Sequence, residues 1–262
     1  MPLGLSNLYI IHDHGSFEDT LKLISSPFAE KAGYFELVDN DVLKLDSGRV
    51  KALKGFVETG IRFAVHSTYD GVNIASVDPR RRKSSVAAVR RSLEWAASLE
   101  ALNVVVHPGE ADVLEEKAAC FGHNVTSLLE LKDHSVSLGV RMAVENDVPH
   151  RRGLVVKPED FKRLFEEAQT TFPVVLDAGH AHLSGTTDGF MRTLADSVAE
   201  VHVHDNEGTR DQHLAIGSGS VDFTSLRLLF FRPNVLFTVE SVYSPFESFD
   251  RLAELRRKSL QL

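Results

Sequence analysis

The sequence predicts an α/β protein of the (β/α)8 TIM-barrel class, folded as a single domain over residues 1–262. Eight short runs rich in β-branched and aromatic residues recur along the chain. Amphipathic stretches of helical period separate them, and eight such pairs in about 250 residues are typical of this barrel. A doubly wound open sheet is the alternative, but the chain contains neither a Walker sequence nor a G-x-G-x-x-G loop.

The elements follow one another in regular order. Helical period is clearest at 83–102, 121–139 and 158–169, where Pro158 opens the last stretch. We expect alternate side chains of the last two strands to fill the barrel interior. The predicted strands are 7–12, 34–38, 62–66, 103–107, 140–145, 172–177, 199–204 and 234–240.

Composition limits the class of protein. The net charge of −8 argues against a surface covered with nucleic-acid-binding charge, although it allows a local basic face. The chain opens without a basic signal-peptide region, and no run approaches the roughly 18 apolar residues that span a membrane. The single cysteine, Cys120, cannot form an internal disulfide. We therefore expect a cytoplasmic protein with no membrane partner and a buried thiol.

Potential metal ligands stand at or next to the ends of six successive strands, the third to the eighth. In a barrel these C-terminal ends meet at one mouth, where active sites lie. A single strand-end histidine or glutamate is usually a solvated group, but six in succession favour a shared metal site. The residues are His66, His107, Glu145, Asp177, His202 with His204, and Glu240.

The mixture of ligand types indicates the metal. Imidazoles combined with carboxylates suit Zn²⁺, with Mn²⁺ or another divalent transition metal as the alternative, whereas Mg²⁺ and Ca²⁺ prefer oxygen alone. The ligands are too many for one tetrahedral ion. Carboxylates that bridge two or three ions would use all of them.

Seven motifs in these regions support a resemblance to a known family. The chain resembles the endonuclease IV (AP endonuclease 2) family, within the wider xylose isomerase-like barrel superfamily, over roughly residues 60–240. The motifs are VHSTYDGVNIAS (65–76), VVVHPGE (104–110), AVEN (143–146), LDAGHAHLSG (176–185), HVHD (202–205), DQHLAIGSG (211–219) and TVES (238–241).

The resemblance implies a cluster of up to three zinc ions held by nine residues. Spacing agrees with it, because the period of two in DQH puts Asp211 and His213 on one side of an extended segment. The first ion would use His66, His107 and Glu145; the second Glu145, Asp177, His202 and Glu240; and the third His180, Asp211 and His213.

The resemblance also implies an activity, phosphodiester hydrolysis on the 5′ side of abasic sites in DNA, as in DNA repair. Zinc lowers the pKa of bound water toward 7, which supplies hydroxide at neutral pH. The catalytic carboxylates would be Glu145, Asp177 and Glu240, with Glu145 bridging two ions. The lesion would turn out of the base stack into the barrel mouth.

Several neighbouring residues are candidates for substrate contact. Tyr69 stands three residues after His66, like the family's DNA-penetrating tyrosine, although Asp70 and Gly71 replace the apolar residues expected next. Arg151 and Arg152 would add positive charge after the fifth strand. The basic run at 80–83 fits either phosphate contact or a solvated helix start.

His202 and His204 share one face of a strand, so spacing alone does not choose between them. The family pattern of His followed three residues later by Asp selects His202 as the ligand. His204 is then expected to contact substrate or to support a ligand, and Asp205 to orient an imidazole. His182 is expected to stay outside the metal set.

The alternative function is an isomerase or epimerase acting on a small sugar or sugar phosphate. It would use one divalent ion on Glu145, Asp177, His202 and Glu240, with two carboxylates moving a proton between adjacent carbons. A metal on Asp211 and His213 would separate the nuclease from the isomerase.

Overall fold

A closed barrel of eight parallel strands forms the centre of the protein in the computed structural model, which describes residues 2–261. The strands follow chain order around the barrel, and β1 pairs with both β2 and β8 to close it. This confirms the predicted fold. The strands are β1 Leu3–Ser6, β2 Tyr34–Val38, β3 Phe63–His66, β4 Val104–Val106, β5 Met142–Glu145, β6 Val174–Asp177, β7 Val198–Val203 and β8 Leu236–Val239.

Helices and loops surround the strands. Asp78 caps the start of one long helix ahead of Pro79, and Gly139 ends the next in a left-handed conformation with φ of 69°. The β7–β8 connection instead contains a long loop and a 3-10 helix at Phe223–Phe231. The α-helices are α1 Leu8–His12, α2 Phe17–Ile24, α3 Ser47–Val57, α4 Pro79–Ser98, α5 Lys117–Leu138, α6 Pro158–Ala168, α7 Ala178–Leu183, α8 Thr187–Thr193 and α9 Pro245–Ser259.

The first predicted strand, 7–12, is wrong. That run forms α1, and the true β1 precedes it at Leu3–Ser6. A short apolar run has no periodicity that separates a strand from a buried helix, and glycine is uncommon inside strands. Gly4 is required here because a Cβ at this position would lie 2.3 Å from the Tyr34 ring. Asn7 ends the strand and accepts a hydrogen bond from the Val38 amide at 2.9 Å.

The core lies mainly between the barrel and its helices, where Cys120 is buried as expected. Small inward residues of four strands form a separate cluster that includes Ala143 and Val175. Their size leaves room in the barrel interior for buried polar side chains near the mouth. Within residues 2–261, no helix is both long and apolar enough to cross a lipid bilayer.

Candidate metal centre

The structure brings the nine predicted ligands together at the C-terminal mouth of the barrel. They form three clusters in which the potential donor atoms lie within 4.8 Å of one another. Glu145 belongs to two of the clusters, and His204 joins the last one. The first cluster is His66, His107 and Glu145; the central cluster is Glu145, Asp177, His202 and Glu240; the third cluster is His180, His204, Asp211 and His213.

Distances in the first cluster fit a tetrahedral ion. Zinc–ligand bonds of 2.0–2.1 Å place neighbouring donors about 3.3 Å apart. His66 Nε2 lies 3.2 Å from His107 Nε2 and 3.4 Å from Glu145 Oε2, which is 3.0 Å from His107 Nε2. His66 Nδ1 faces the Ser67 carbonyl at 3.1 Å, so its Nε2 is free to bind a metal.

The central cluster concentrates negative charge in a buried site. His202 Nδ1 lies 3.0 Å from Glu145 Oε1 and 3.1 Å from Glu240 Oε2. Burial opposes ionisation, yet the nearby His202 and His107 imidazoles hold the pKa of Glu145 well below its usual range. The pKa of Glu240 is likewise lowered by His202 against the effect of burial. Ionised carboxylates this close together are suited to a divalent cation.

The third cluster is assembled by α7 and the loop after β7. Asp177 Oδ1 accepts a hydrogen bond from the His180 amide at 2.7 Å, which starts α7 and aims His180 inward. His180 Nδ1 then faces the Asn146 carbonyl at 2.9 Å, and His213 Nδ1 faces the Glu240 carbonyl at 2.9 Å. Both Nε2 atoms are therefore free to bind a metal beside Asp211.

The Asp211 carboxylate contacts both of these imidazoles. Its Oδ2 lies 3.4 Å from His180 Nε2 and 3.1 Å from His213 Nε2. Burial would lower the pKa of His213, but Asp211 outweighs burial and raises it to about 9. His213 also has a φ of 46°, a left-handed conformation that a histidine adopts at a cost of roughly 1–3 kcal/mol. The loop thus stores backbone strain at a ligand.

His204 lies beneath the mouth rather than facing substrate. Its side chain is fully buried, and its ring stacks on His213 with centroids 3.8 Å apart. Its Nε2 lies 3.1 Å from Asp177 Oδ2, while its Nδ1 has no hydrogen-bond partner among residues 2–261. This places the proton on Nε2, where it is donated to Asp177. The expected substrate contact does not fit a side chain with no exposed surface.

Asp205 holds the loop between β7 and β8, so the expectation that it orients an imidazole is wrong. Its two oxygens accept four backbone hydrogen bonds across the loop, which uses their capacity. The donors are the amides of Asn206 at 2.9 Å, Gly217 at 2.8 Å, Gly219 at 2.9 Å and Val221 at 3.0 Å.

Sequence reasoning missed Glu36, an inward residue in the middle of β2. Its carboxylate is fully buried and lies 3.2 Å from His202 Nε2. Burial raises the pKa of Glu36 to about 7, against the opposing effect of His202. The signal in the sequence was a single charged residue in the apolar run YFELV, within a strand rather than at its end.

A cavity of about 460 Å³ opens in front of the clusters. Tyr69 lies in its wall, where its ring stacks on His107 with centroids 5.4 Å apart. The lining of the cavity combines metal-cluster residues with largely apolar side chains. The latter are Leu8, Ile11, Val38, Val148, Val242 and Tyr243.

Two arginines of the predicted basic rim are paired with acidic groups. Arg152 Nη2 contacts Glu110 Oε1 at 2.9 Å, and Arg81 Nη1 contacts Asp112 Oδ1 at 2.9 Å. Arg151 is exposed, and its side chain, like that of Arg152, lies outside the set of described residues that line the cavity. Neither of these two arginines therefore contacts the cavity directly.

The known proteins that are similar to this chain include one that is uncharacterized, one named as an endonuclease and one named as epimerase-like. An uncharacterized protein of Methanocaldococcus jannaschii is 26% identical over 228 residues, which cover 87% of this chain and 86% of that protein. A probable endonuclease 4 of Solibacter usitatus is 30% identical over 65% of each chain. A solved D-tagatose 3-epimerase-like protein superposes with a TM-score of 0.88 at 24% identity, covering 100% of this chain and 99% of its own.

A family match agrees with the closed barrel. Residues 28–258 match the family described as xylose isomerase-like TIM barrel. This range begins before β2 and ends within α9, so it includes every residue of the three clusters. The chain therefore belongs to the xylose isomerase-like TIM barrel family.

Proposed function

We propose that the protein is a zinc-dependent phosphodiester hydrolase that resembles endonuclease IV and cuts DNA on the 5′ side of abasic sites. The observation that supports this proposal is the third cluster, in which His180, Asp211 and His213 converge beside the central one. An isomerase that uses one ion on the central cluster needs no second set of oriented imidazoles. A hydrolase that balances charge on a phosphate with several ions does.

The protein side chains have separate tasks in this reaction. The chemistry that zinc supplies when bound is a nucleophilic hydroxide at neutral pH. Glu145 would bridge the first and central clusters, because its Oε2 faces His107 and its Oε1 faces His202. Asp177 and Glu240 would complete the central site, and Tyr69 offers an aromatic face to an extruded lesion.

An isomerase or epimerase of a small sugar or sugar phosphate is the second candidate, and the cavity favours it. The volume falls within the range of small-molecule pockets, and part of the lining is apolar. The pairing of Arg152 and Arg81 with carboxylates also leaves less charge for a DNA backbone. In this reaction Glu145 and Glu240 would move a proton between adjacent carbons.

Metal content and two activity assays separate the candidates. Purified protein is analysed for zinc, incubated with a duplex that contains one abasic site, and incubated with D-tagatose in D₂O. Three ions per chain, one for each cluster, with nicking on the 5′ side support the hydrolase. One ion per chain with deuterium entering the sugar, and no nicking, would support the epimerase instead.

A matched pair of variants tests the third cluster directly. Asp211→Asn removes the carboxylate between two imidazoles, so we expect one ion fewer and a loss of nicking of at least 100-fold. His182→Ala is the control, because His182 lies on α7 with His180 but contacts Ser220 Oγ at 2.9 Å, outside the clusters. If Asp211→Asn binds as much zinc and nicks DNA as fast as His182→Ala, the hydrolase proposal is contradicted.

A further inference from the structure

Two glutamates lie fully buried in the barrel interior, in different surroundings. Glu200 on β7 is surrounded by neutral donors: Asn103 Nδ2 donates to its Oε2 at 2.7 Å, and the Thr238 hydroxyl donates to its Oε1. These bonds compensate the loss of water around that carboxylate. Glu200 therefore has its hydrogen bonds without His202, although one of its oxygens lies within 4.8 Å of ligand atoms of His202 and Glu36.

Glu36 has no such set of donors. Among the described residues, neither of its carboxylate oxygens has a hydrogen bond of good geometry. The one basic group in contact is His202, whose Nε2 lies 3.2 Å from Glu36 Oε2. Because a buried carboxylate without a partner is costly, this contact requires an explanation.

The orientation of His202 differs from that of three other imidazoles at the mouth. His66, His180 and His213 each turn Nδ1 toward a backbone carbonyl, at 3.1, 2.9 and 2.9 Å, and present Nε2. His202 is reversed: its Nδ1 faces the carboxylates of Glu145 and Glu240, and its Nε2 points down into the barrel toward Glu36.

We propose that Glu36 is a positioning residue, which holds the Nε2–H of His202 so that Nδ1 presents its lone pair to the central cluster. A carboxylate behind a metal-binding imidazole fixes its tautomer and raises its basicity. Backbone carbonyls have the equivalent role for His66, His180 and His213. The inference rests on the proposed function only in requiring a metal at the central cluster, and the epimerase candidate requires the same metal.

Three variants test this role. Glu36→Leu keeps a similar volume but removes the acceptor, and Glu36→Gln keeps one acceptor oxygen without the charge. Glu200→Gln is the matched control, since it changes a buried carboxylate of the same barrel interior that neutral donors surround. Folding of each variant is checked by its thermal midpoint.

Two measurements are made on the zinc-loaded proteins. Long-range ¹H–¹⁵N NMR reports which ring nitrogen of each histidine carries the proton. The signals of His202 are assigned as those that disappear in the His202→Gln variant. Competition with a chromophoric chelator reports affinity. We expect the wild type to show Nε2–H on His202, and Glu36→Leu to lose that pattern with an affinity at the central site about 10- to 100-fold lower.

We expect Glu36→Gln to keep the His202 pattern with an affinity several-fold below wild type, and Glu200→Gln to match wild type. An unchanged affinity in folded Glu36→Leu overturns the proposal, and if that variant does not fold, an unchanged affinity in Glu36→Gln does so. A wild-type central cluster that takes no metal overturns this inference and the proposed function together. Absence of DNA cleavage alone removes only the proposed function.

Discussion

At the scale of the residue, the mouth of the barrel is defined by which nitrogen each imidazole presents. His66 and His213 each give Nδ1 to a backbone carbonyl, so Nε2 is the atom that faces its cluster. Carboxylates beside these Nε2 atoms stabilise the protonated imidazole when no metal is bound. The protein therefore holds protons at the positions where a cation would bind.

Zinc binding should consequently release protons. Burial lowers the pKa of both imidazoles, but Glu145 beside His66 and Asp211 beside His213 outweigh it and raise each pKa to about 9. At pH 7.5 both rings are protonated in the metal-free protein, so zinc must displace these protons and its affinity falls as the pH falls. Calorimetric titration in two buffers of different ionisation enthalpy measures the release. Heats that do not depend on the buffer would contradict this prediction.

The sequence could identify the candidate ligands that meet at the mouth, but not their surroundings. His66, Glu145 and Asp177 end their strands, and parallel strands of a barrel all end at the same mouth, so position along the chain was enough. The burial of His204 and the contact between Glu36 and His202 depend on packing across the barrel interior. Neither leaves a periodic signal in the chain.

At the scale of the element, α7 approaches β7 closely because of one glycine. A Cβ at Gly179 would lie 2.2 Å from Cε1 of His204, which stacks on His213 and donates to Asp177. The helix can therefore sit against the strand only with glycine at this position. Within four residues, the DAGH motif contains the cap of α7, the glycine that lets α7 lie against β7, and the candidate metal ligand His180.

Replacing this glycine should disturb both stability and metal binding. In Gly179→Ala the His204 ring must move, so we expect a loss of about 1–3 kcal/mol in the free energy of unfolding and a zinc content lower by one ion. Gly122→Ala is the control, because its Cβ meets nothing within 4 Å on α5 and alanine favours a helix. Denaturant unfolding and zinc analysis check both; a Gly179→Ala protein as stable and zinc-rich as wild type would refute this account.

The elements were predicted well except for the first strand, although α4 and α5 each begin four residues before the predicted stretch. The helix expected at 158–169 is α6 at Pro158–Ala168, with a proline at its start and an amphipathic pattern of three turns. In contrast, β1 has four residues including Gly4, whose role depends on Tyr34 in another strand. Such a contact between distant parts of the chain is invisible to local propensity.

At the scale of the whole molecule, the candidate metal centre joins six neighbouring strands. The first and central clusters take residues from the ends of β3 to β8, around three-quarters of the barrel. Without a cation, the carboxylates of Glu145, Asp177 and Glu240 share a buried space. Metal binding should therefore stabilise the closed barrel as well as the site.

Removal of metal should lower the thermal midpoint of the protein. A ligand present at 100 times its dissociation constant stabilises a fold by about 2.7 kcal/mol, so chelation with EDTA should produce a shift of several degrees. Added Zn²⁺ should restore the midpoint, whereas Mg²⁺ should not, because it binds poorly to imidazole. Differential scanning calorimetry makes the comparison. Equal midpoints before and after chelation would count against a metal bound in the folded state.

Glu145 also links metal binding at the first cluster to metal binding at the central cluster. Its Oε2 lies beside His66 and His107, and its Oε1 lies beside His202. A cation on either side fixes this one carboxylate in the orientation that the other side needs, and such coupling is reciprocal. If both clusters bind zinc, their loading should then be positively cooperative, so that at limiting zinc the molecules would divide between empty and doubly filled mouths.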